Sequence, residues 1–319
     1  MSPSSSSDAI TRPTDPDSLV LEAWGQGLMV GSLLVMAAIT VANMKRRNLL
    51  HKLIFAELIL AMPHGTFIFP HAPVFGWYLS VSAIGLNISW SLHNVIAWMK
   101  NRPFFSRKVS LFYISTVLLV QPYWVVEIYA NFAYFNNINK IFLTTRPFEP
   151  LFRDPWWVFT TCSLFYTIKR EYGFSLKELV LASPRFGIML AAMCLSIAFI
   201  VVDTCAVLNV FRNHALPTGV EPFWKLSFIF KCLCDTVILD DFKTALDALR
   251  LYWFKKRAQR GEIFLPGTHF RIPTEGQQLP RDDRDTVDVD VDDQDLESGR
   301  ALRKLDSTIP RVHTRENVV

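Results

Sequence analysis

The sequence predicts an all-α, polytopic membrane protein: a bundle of about seven transmembrane helices, N-terminus lumenal and C-terminus cytoplasmic. Three observations carry this. Half of the 319 residues are hydrophobic and only 19% are charged, and the charges cluster between apolar runs or in the tail. The apolar runs recur at lengths near the roughly 20 residues that a spanning helix needs. The connections alternate in basic character: 45–52, 100–108 and 169–185 hold four Lys or Arg each, against none in 71–73, three in 136–155 and only Arg212 in 212–222. Basic connections stay on the cytoplasmic side, and an odd number of spans then leaves the termini on opposite faces.

Residues 1–24 read as a flexible N-terminal arm, rich in Ser, Pro and Asp over 1–18. It lacks the basic start of a cleaved signal peptide, so the first apolar run is expected to stay as an anchor. That run, 25–44, is the first span, closed by Lys45-Arg46-Arg47. The second, 49–70, carries Glu57 and His64 and stops at Pro70. The third, 74–99, carries Asn87, Trp90, His93 and Asn94. The fourth, 109–135, is about 40 Å long as a helix and contains Glu127 with no basic residue beside it. A polar loop, 136–155, leads to a short fifth span at 156–168. A surface helix at 174–183 leads to the sixth, 186–211, with Asp203. The seventh, 223–242, holds Lys231 and Asp235. The bundle therefore covers 25–242. Residues 243–260 alternate apolar and basic positions at helical spacing, as in a helix lying on the cytoplasmic face. Residues 261–319 read as a disordered acidic tail, with nine acidic residues against Arg284 over 282–298.

Ionisable groups inside spanning helices are functional candidates, because they are costly to keep there. Four carboxyl groups qualify: Glu127, Asp203, Glu57 and Asp235. Helical rise puts Glu57 about 12 Å from the cytoplasmic end and Glu127 about 27 Å along its helix, with Asp203 at a similar level. Glu127 and Asp203 are expected to face one chamber, with Glu57 and Asp235 in a deeper layer. A desolvated carboxyl group resists ionisation and can donate a proton near neutral pH. The opposing reading for Asp235 is a self-neutralising pair with Lys231, one turn away. Tyr123, Glu127 and Asn131 share one helical face. With Trp124, Trp90 and His93 they form the expected substrate-binding set. Aromatic faces attract cations most strongly when dry, so a proton donor ringed by them suits a carbocation reaction. Interface belts, core packing and interhelical hydrogen bonds are the structural alternatives for the same residues.

Other chemistries lack their motifs. There is no HExxH, GxSxG or phosphate-binding glycine loop, and no feature points to nucleic acid, haem, flavin or a resident metal. All five cysteines lie in apolar segments, against a disulfide framework, and Cys232 and Cys234 read as small apolar filler.

At NISWSLHNVIAWMKNRPF (87–104) and QPYWVVEIYANFAYFN (121–136) the chain resembles fungal multi-pass membrane terpene cyclases of meroterpenoid pathways, of the ascofuranone type. The likeness spans roughly 25–257. It implies a cofactor-free isomerase of secondary metabolism. A carboxylic acid protonates the terminal epoxide of an aryl-linked farnesyl chain, and the cation closes a ring. In the family, two acidic residues in the membrane do this work. The implied partners are a lipophilic prenylated small molecule and membrane lipid, and the implied location is the endoplasmic reticulum. A seven-helix transporter, proton-coupled through Glu57, Glu127 or Asp203, and a seven-helix receptor are the alternative functions.

Overall fold

A computed structural model of the chain describes residues 15–170, 183–208 and 222–240, with isolated positions at 13, 179–180, 210, 242–243, 245–247 and 249. Among the described residues the structure is helical, with no strand. The helices are α1 (Pro16–Asn43), α2 (Leu49–Ala61), α3 (Val74–Asn101), α4 (Arg107–Leu119), α5 (Gln121–Phe135), α6 (Phe142–Thr145), α7 (Glu149–Arg153), α8 (Pro155–Arg170), α9 (Pro184–Val207) and α10 (Pro222–Val237). Among the described residues, three stretches are long and apolar enough to cross a membrane: Pro16–Asn43, Arg107–Phe135 and Pro184–Val207.

Helix α1 starts nine residues before the expected first span, so residues 16–24, expected as part of a flexible arm, are helical. Its start is chemically defined. Asp15 is the N-cap, its carboxylate accepting from the Ser18 N–H at 2.9 Å, and Pro16 occupies the first turn, where no N–H is required. The cap hydrogen bonds from Ser18, backbone first, hold the Asp15 carboxyl below its ordinary value of 3.8.

Helix α2 ends at Ala61, short of Pro70, and the chain continues as a 3-10 turn over Met62–Thr66. Pro63 explains this, since it has no N–H to donate and its ring crowds the preceding turn. The expected fourth span is two segments, α4 and α5, meeting at Val120 just before Pro122. Arg107–Phe135 still runs as one apolar stretch. Helix α3 is 28 residues long, but its Ser, Asn, Trp and His residues keep it less apolar than the three candidate spans. The surface helix expected at 174–183 lies largely outside the described residues, as does the tail from 261. Of 243–260, Leu246 and Leu249 are described and buried, packed with Phe242, Leu179, Phe186 and Ile238. These two side chains face the bundle.

Helix α3 packs against α2, α4, α5 and α8, and α10 packs against α9, α1 and α2. Among the described residues, two large apolar cores flank the centre of this packing. One joins Met29, Leu33, Ile54, Leu58, Trp90, Trp124, Trp224 and Phe228. The other joins Trp157, Leu164, Ile168, Met189, Met193 and Cys234. Cys232 belongs to the first and Cys234 to the second, so the two thiols face different sides of α10. Close approach of α3 depends on two glycines. A Cβ on Gly85 would lie 2.5 Å from the Leu60 carbonyl oxygen of α2, and one on Gly76 would run into the Phe135 carbonyl oxygen. Small residues at such crossings let backbones meet where apolar burial supplies little drive between helices in lipid.

Candidate functional site

Between the two cores, α2, α3 and α10 bring three ionisable side chains together. His93 Nδ1 lies 2.9 Å from Glu57 Oε1 and 3.1 Å from Asp235 Oδ2. All three residues are buried. Lys100, seven residues after His93 on the same face of α3, places its ammonium 2.9 Å from Asp235 Oδ1. The same ammonium donates to the carbonyls of Ile238 at 2.6 Å and Asp235 at 3.2 Å. It thus sits at the carbonyl-rich end of α10, where a cation is favoured. Cys232 donates to Glu57 Oε1 at 3.5 Å, and Ser89 donates to the Glu57 main-chain carbonyl at 3.0 Å. Glu57 Oε2 and His93 Nε2 have no hydrogen-bond partner among the described residues.

Charge counting defines what this cluster holds. Lys100 offsets one carboxylate. The other carboxylate and the imidazole then share one proton, and the group is neutral wherever that proton sits. Neutrality matters because an unbalanced charge at such depth costs several kcal/mol, on the order of the desolvation penalty for one ion. The ligand atoms of Glu57, His93 and Asp235 lie within 4.8 Å of one another, a spacing that also fits a metal ion. A divalent ion in place of the proton would leave a net positive charge beside the Lys100 ammonium, so the donor set favours a proton.

Aromatic rings border the cluster. The His93 ring is 4.9 Å from that of Trp157, whose indole N–H donates to Ser196 at 2.7 Å. Trp90, three residues before His93, contacts Trp124 at 5.5 Å and Trp224 at 5.8 Å between centroids. The face of Trp90 already carries a cation, the Arg153 guanidinium at 5.2 Å.

That guanidinium belongs to a second buried network. Arg153 reaches Asp203 at 2.6 Å, Glu149 at 2.9 Å and Asp154 at 2.9 Å. Glu149 also pairs with Arg146, and Asp154 with Lys231. Arg146, Arg153 and Lys231 thereby balance Glu149, Asp154 and Asp203. The connection 136–155, expected as a polar loop, therefore packs its charged end into the bundle. A third pair joins Lys225 to Glu22 at 2.7 and 2.9 Å, with Gln26 donating to Glu22 at 2.8 Å.

The expected site residues thus separate. Glu57 and Asp235 meet through His93. Asp203 is held by Arg153. Glu127 is reached by the Tyr123 hydroxyl at 3.4 Å, a hydroxyl that also donates to the Thr145 carbonyl at 3.1 Å. Among the described residues no hydrogen bond or ion pair joins Glu127 directly to Asp203. Trp124 and Trp90 are buried in the first core. Asn131 has an inward carbonyl oxygen without a hydrogen-bond partner. Lys231 pairs with Asp154, replacing the expected self-neutralising pair with Asp235. Lys100 and Arg153, expected in connections between helices, and Glu22, expected in the N-terminal arm, are instead buried partners of these carboxyl and basic groups. Comparison with known proteins returned no matching family model, no matching curated protein and no matching solved structure.

Proposed function

We propose that the chain is a membrane-bound, cofactor-independent terpene cyclase that protonates the epoxide of a farnesylated aromatic substrate and closes a ring. The observation that carries this reading is the placement of His93, whose Nδ1 is hydrogen-bonded to the buried Glu57 at 2.9 Å and lies 3.1 Å from the buried Asp235 Oδ2. In this reading Glu57 is the acid. Its Oε2, lacking a hydrogen-bond partner among the described residues, is the atom offered to the epoxide oxygen. Proton transfer opens the C–O bond, the neighbouring alkene or hydroxyl attacks the carbon centre, and a ring forms. Asp235, ion-paired with Lys100, accepts the proton that the cyclised cation releases. Trp157, whose ring packs against that of His93, supplies an aromatic wall beside the acid cluster.

The membrane arrangement proposed with it has seven spans: α1, α2 with its 3-10 extension, α3, α4–α5 together, α8, α9 and α10. The N-terminus is lumenal and the C-terminus cytoplasmic, in the endoplasmic reticulum, where a prenylated substrate would be met in the lipid. The exposed apolar side chains of α4 and α5, such as Phe112, Leu119 and Val125, suit contact with lipid chains.

The test is expression in a host without the pathway, with microsomes given epoxidised farnesyl-aryl substrates. The expected product is a cyclic isomer of unchanged mass, lost in Glu57→Gln. Proton-coupled uptake of a solute into sealed vesicles, with no isomer formed, would instead establish a transporter built on the same shared proton.

A further inference from the structure

We infer that His93 is the residue that returns the proton from Asp235 to Glu57 after each turnover, a role that rests on the cyclase reading above. Ring closure by an isomerase consumes no net proton, yet it moves one. Glu57 gives a proton to the epoxide, and Asp235 receives one from the cyclised cation. The site ends the reaction with Glu57 ionised and Asp235 protonated, the reverse of its starting state. A second turnover needs the proton to go back.

Bulk water is a poor route, because Glu57, His93 and Asp235 are all buried between two apolar cores. The imidazole offers a direct one. The same atom, Nδ1, lies 3.1 Å from Asp235 Oδ2 and 2.9 Å from Glu57 Oε1. A proton leaving Asp235 bonds to the Nδ1 lone pair, giving an imidazolium. It then leaves Nδ1 for Glu57 Oε1, restoring the neutral ring, and a half-turn of the Glu57 carboxyl group carries the protonated oxygen to the epoxide-facing position. Nε2 keeps its own hydrogen throughout, so the ring has no need to flip, and its packing against Trp157 is undisturbed. The transient imidazolium lies between two carboxylates, with Lys100 holding the charge sum at zero at every stage. His93 is thus a positioning and proton-returning residue; the acid that meets the substrate is Glu57.

The discriminating measurement separates the first turnover from later ones. Full-length protein in lipid nanodiscs is mixed with excess epoxidised farnesyl-aryl substrate, and product is counted per enzyme by rapid quench. Wild type forms product steadily. His93→Asn keeps a rapid first turnover of one product per enzyme, after which the steady rate falls about 100-fold, since proton return is what it lacks. His93→Gln gives the same split, while retaining hydrogen bonding to the carboxyl groups. A steady rate within about threefold of wild type overturns the proposal. Equal loss of first and later turnovers overturns it too, as would failure of both variants to accumulate while Glu57→Gln accumulates normally. Absence of product from wild type removes the cyclase reading itself, and is distinguished by that control.

Discussion

Lys231 ion-pairs with Asp154, 77 positions earlier in the chain, while Asp235, one turn ahead of Lys231 on the same helix, pairs with Lys100 and His93. This exchange of partners frees Asp235 for the shared-proton cluster and commits Lys231 to the connection before α8. Removing one member of a buried pair strands the other charge, at a cost of about 3–5 kcal/mol. Lys231→Met is expected to unfold at markedly lower temperature than wild type, and Lys231→Met with Asp154→Asn to recover part of the loss. Thermal unfolding of the four proteins of this cycle in detergent measures the coupling.

Asp203 gives a contrasting expectation to the acid cluster. Its partner is Arg153, at 2.6 Å, so Asp203→Asn leaves a buried guanidinium short of one carboxylate. Accumulation in membranes is expected to fall, while activity per folded molecule changes little. Normalising product formation to folded protein by fluorescence-detected chromatography checks this.

Glu22 ties the first turns of α1 to α10. Deletion of residues 1–14 leaves the Asp15 cap and Glu22 in place, and is expected to leave accumulation unchanged. Deletion of residues 1–24 takes away the Asp15 cap and the carboxylate that accepts both hydrogen bonds from Lys225. It is expected to abolish accumulation. Expression levels of the two truncations decide the point.

The Asp15 cap carries its own pH dependence. Its carboxyl titrates below the ordinary value of 3.8, so its contribution to α1 is complete above that value and is lost as pH falls through the lower, folded-state value. Amide protection over Ser18–Glu22, taken relative to the intrinsic exchange rate at each pH, is expected to fall in that acid range in wild type. In Asp15→Ala it should already be low at neutral pH.

Gly85 links packing to the site. An added Cβ meets the Leu60 carbonyl oxygen at 2.5 Å and must push α2 from α3 near Glu57 and His93. Gly85→Ala is expected to cost about 1–3 kcal/mol in stability. Its product formation should fall further than its folded fraction, because the 2.9 Å contact between Glu57 and His93 lengthens. Parallel measurement of folded protein and product separates the two effects.

Periodicity and hydropathy made most helices legible, because each is a local pattern of apolar residues: α3, α8, α9 and α10 begin within two residues of the expected positions. The start of α1 was hidden by the Ser- and Pro-rich composition of its leader, although Asp15-Pro16 is a capping signal, and Leu19, Glu22, Gln26, Met29 and Leu33 follow at helical spacing. The carboxyl candidates were legible as buried charges, but their partners were not. Lys100 read as a loop cation for orientation, yet it ends α3 inside the bundle. Glu149 and Arg153 stand four apart, a helical spacing visible in the sequence, but their connection read as solvated. Glu57, His93 and Asp235 lie on three helices far apart in sequence, and a single sequence holds no record of which helices touch.

The measurement that tests the central claim most directly compares Glu57→Gln, Asp235→Asn, Glu127→Gln and Asp203→Asn on one epoxidised farnesyl-aryl substrate, with product counted per folded enzyme. The shared-proton cluster predicts that Glu57→Gln and Asp235→Asn each lose about 100-fold or more, and that the other two stay close to wild type. Full activity in Glu57→Gln, or loss confined to Glu127→Gln, would contradict it and move the acid to the Tyr123–Glu127 face.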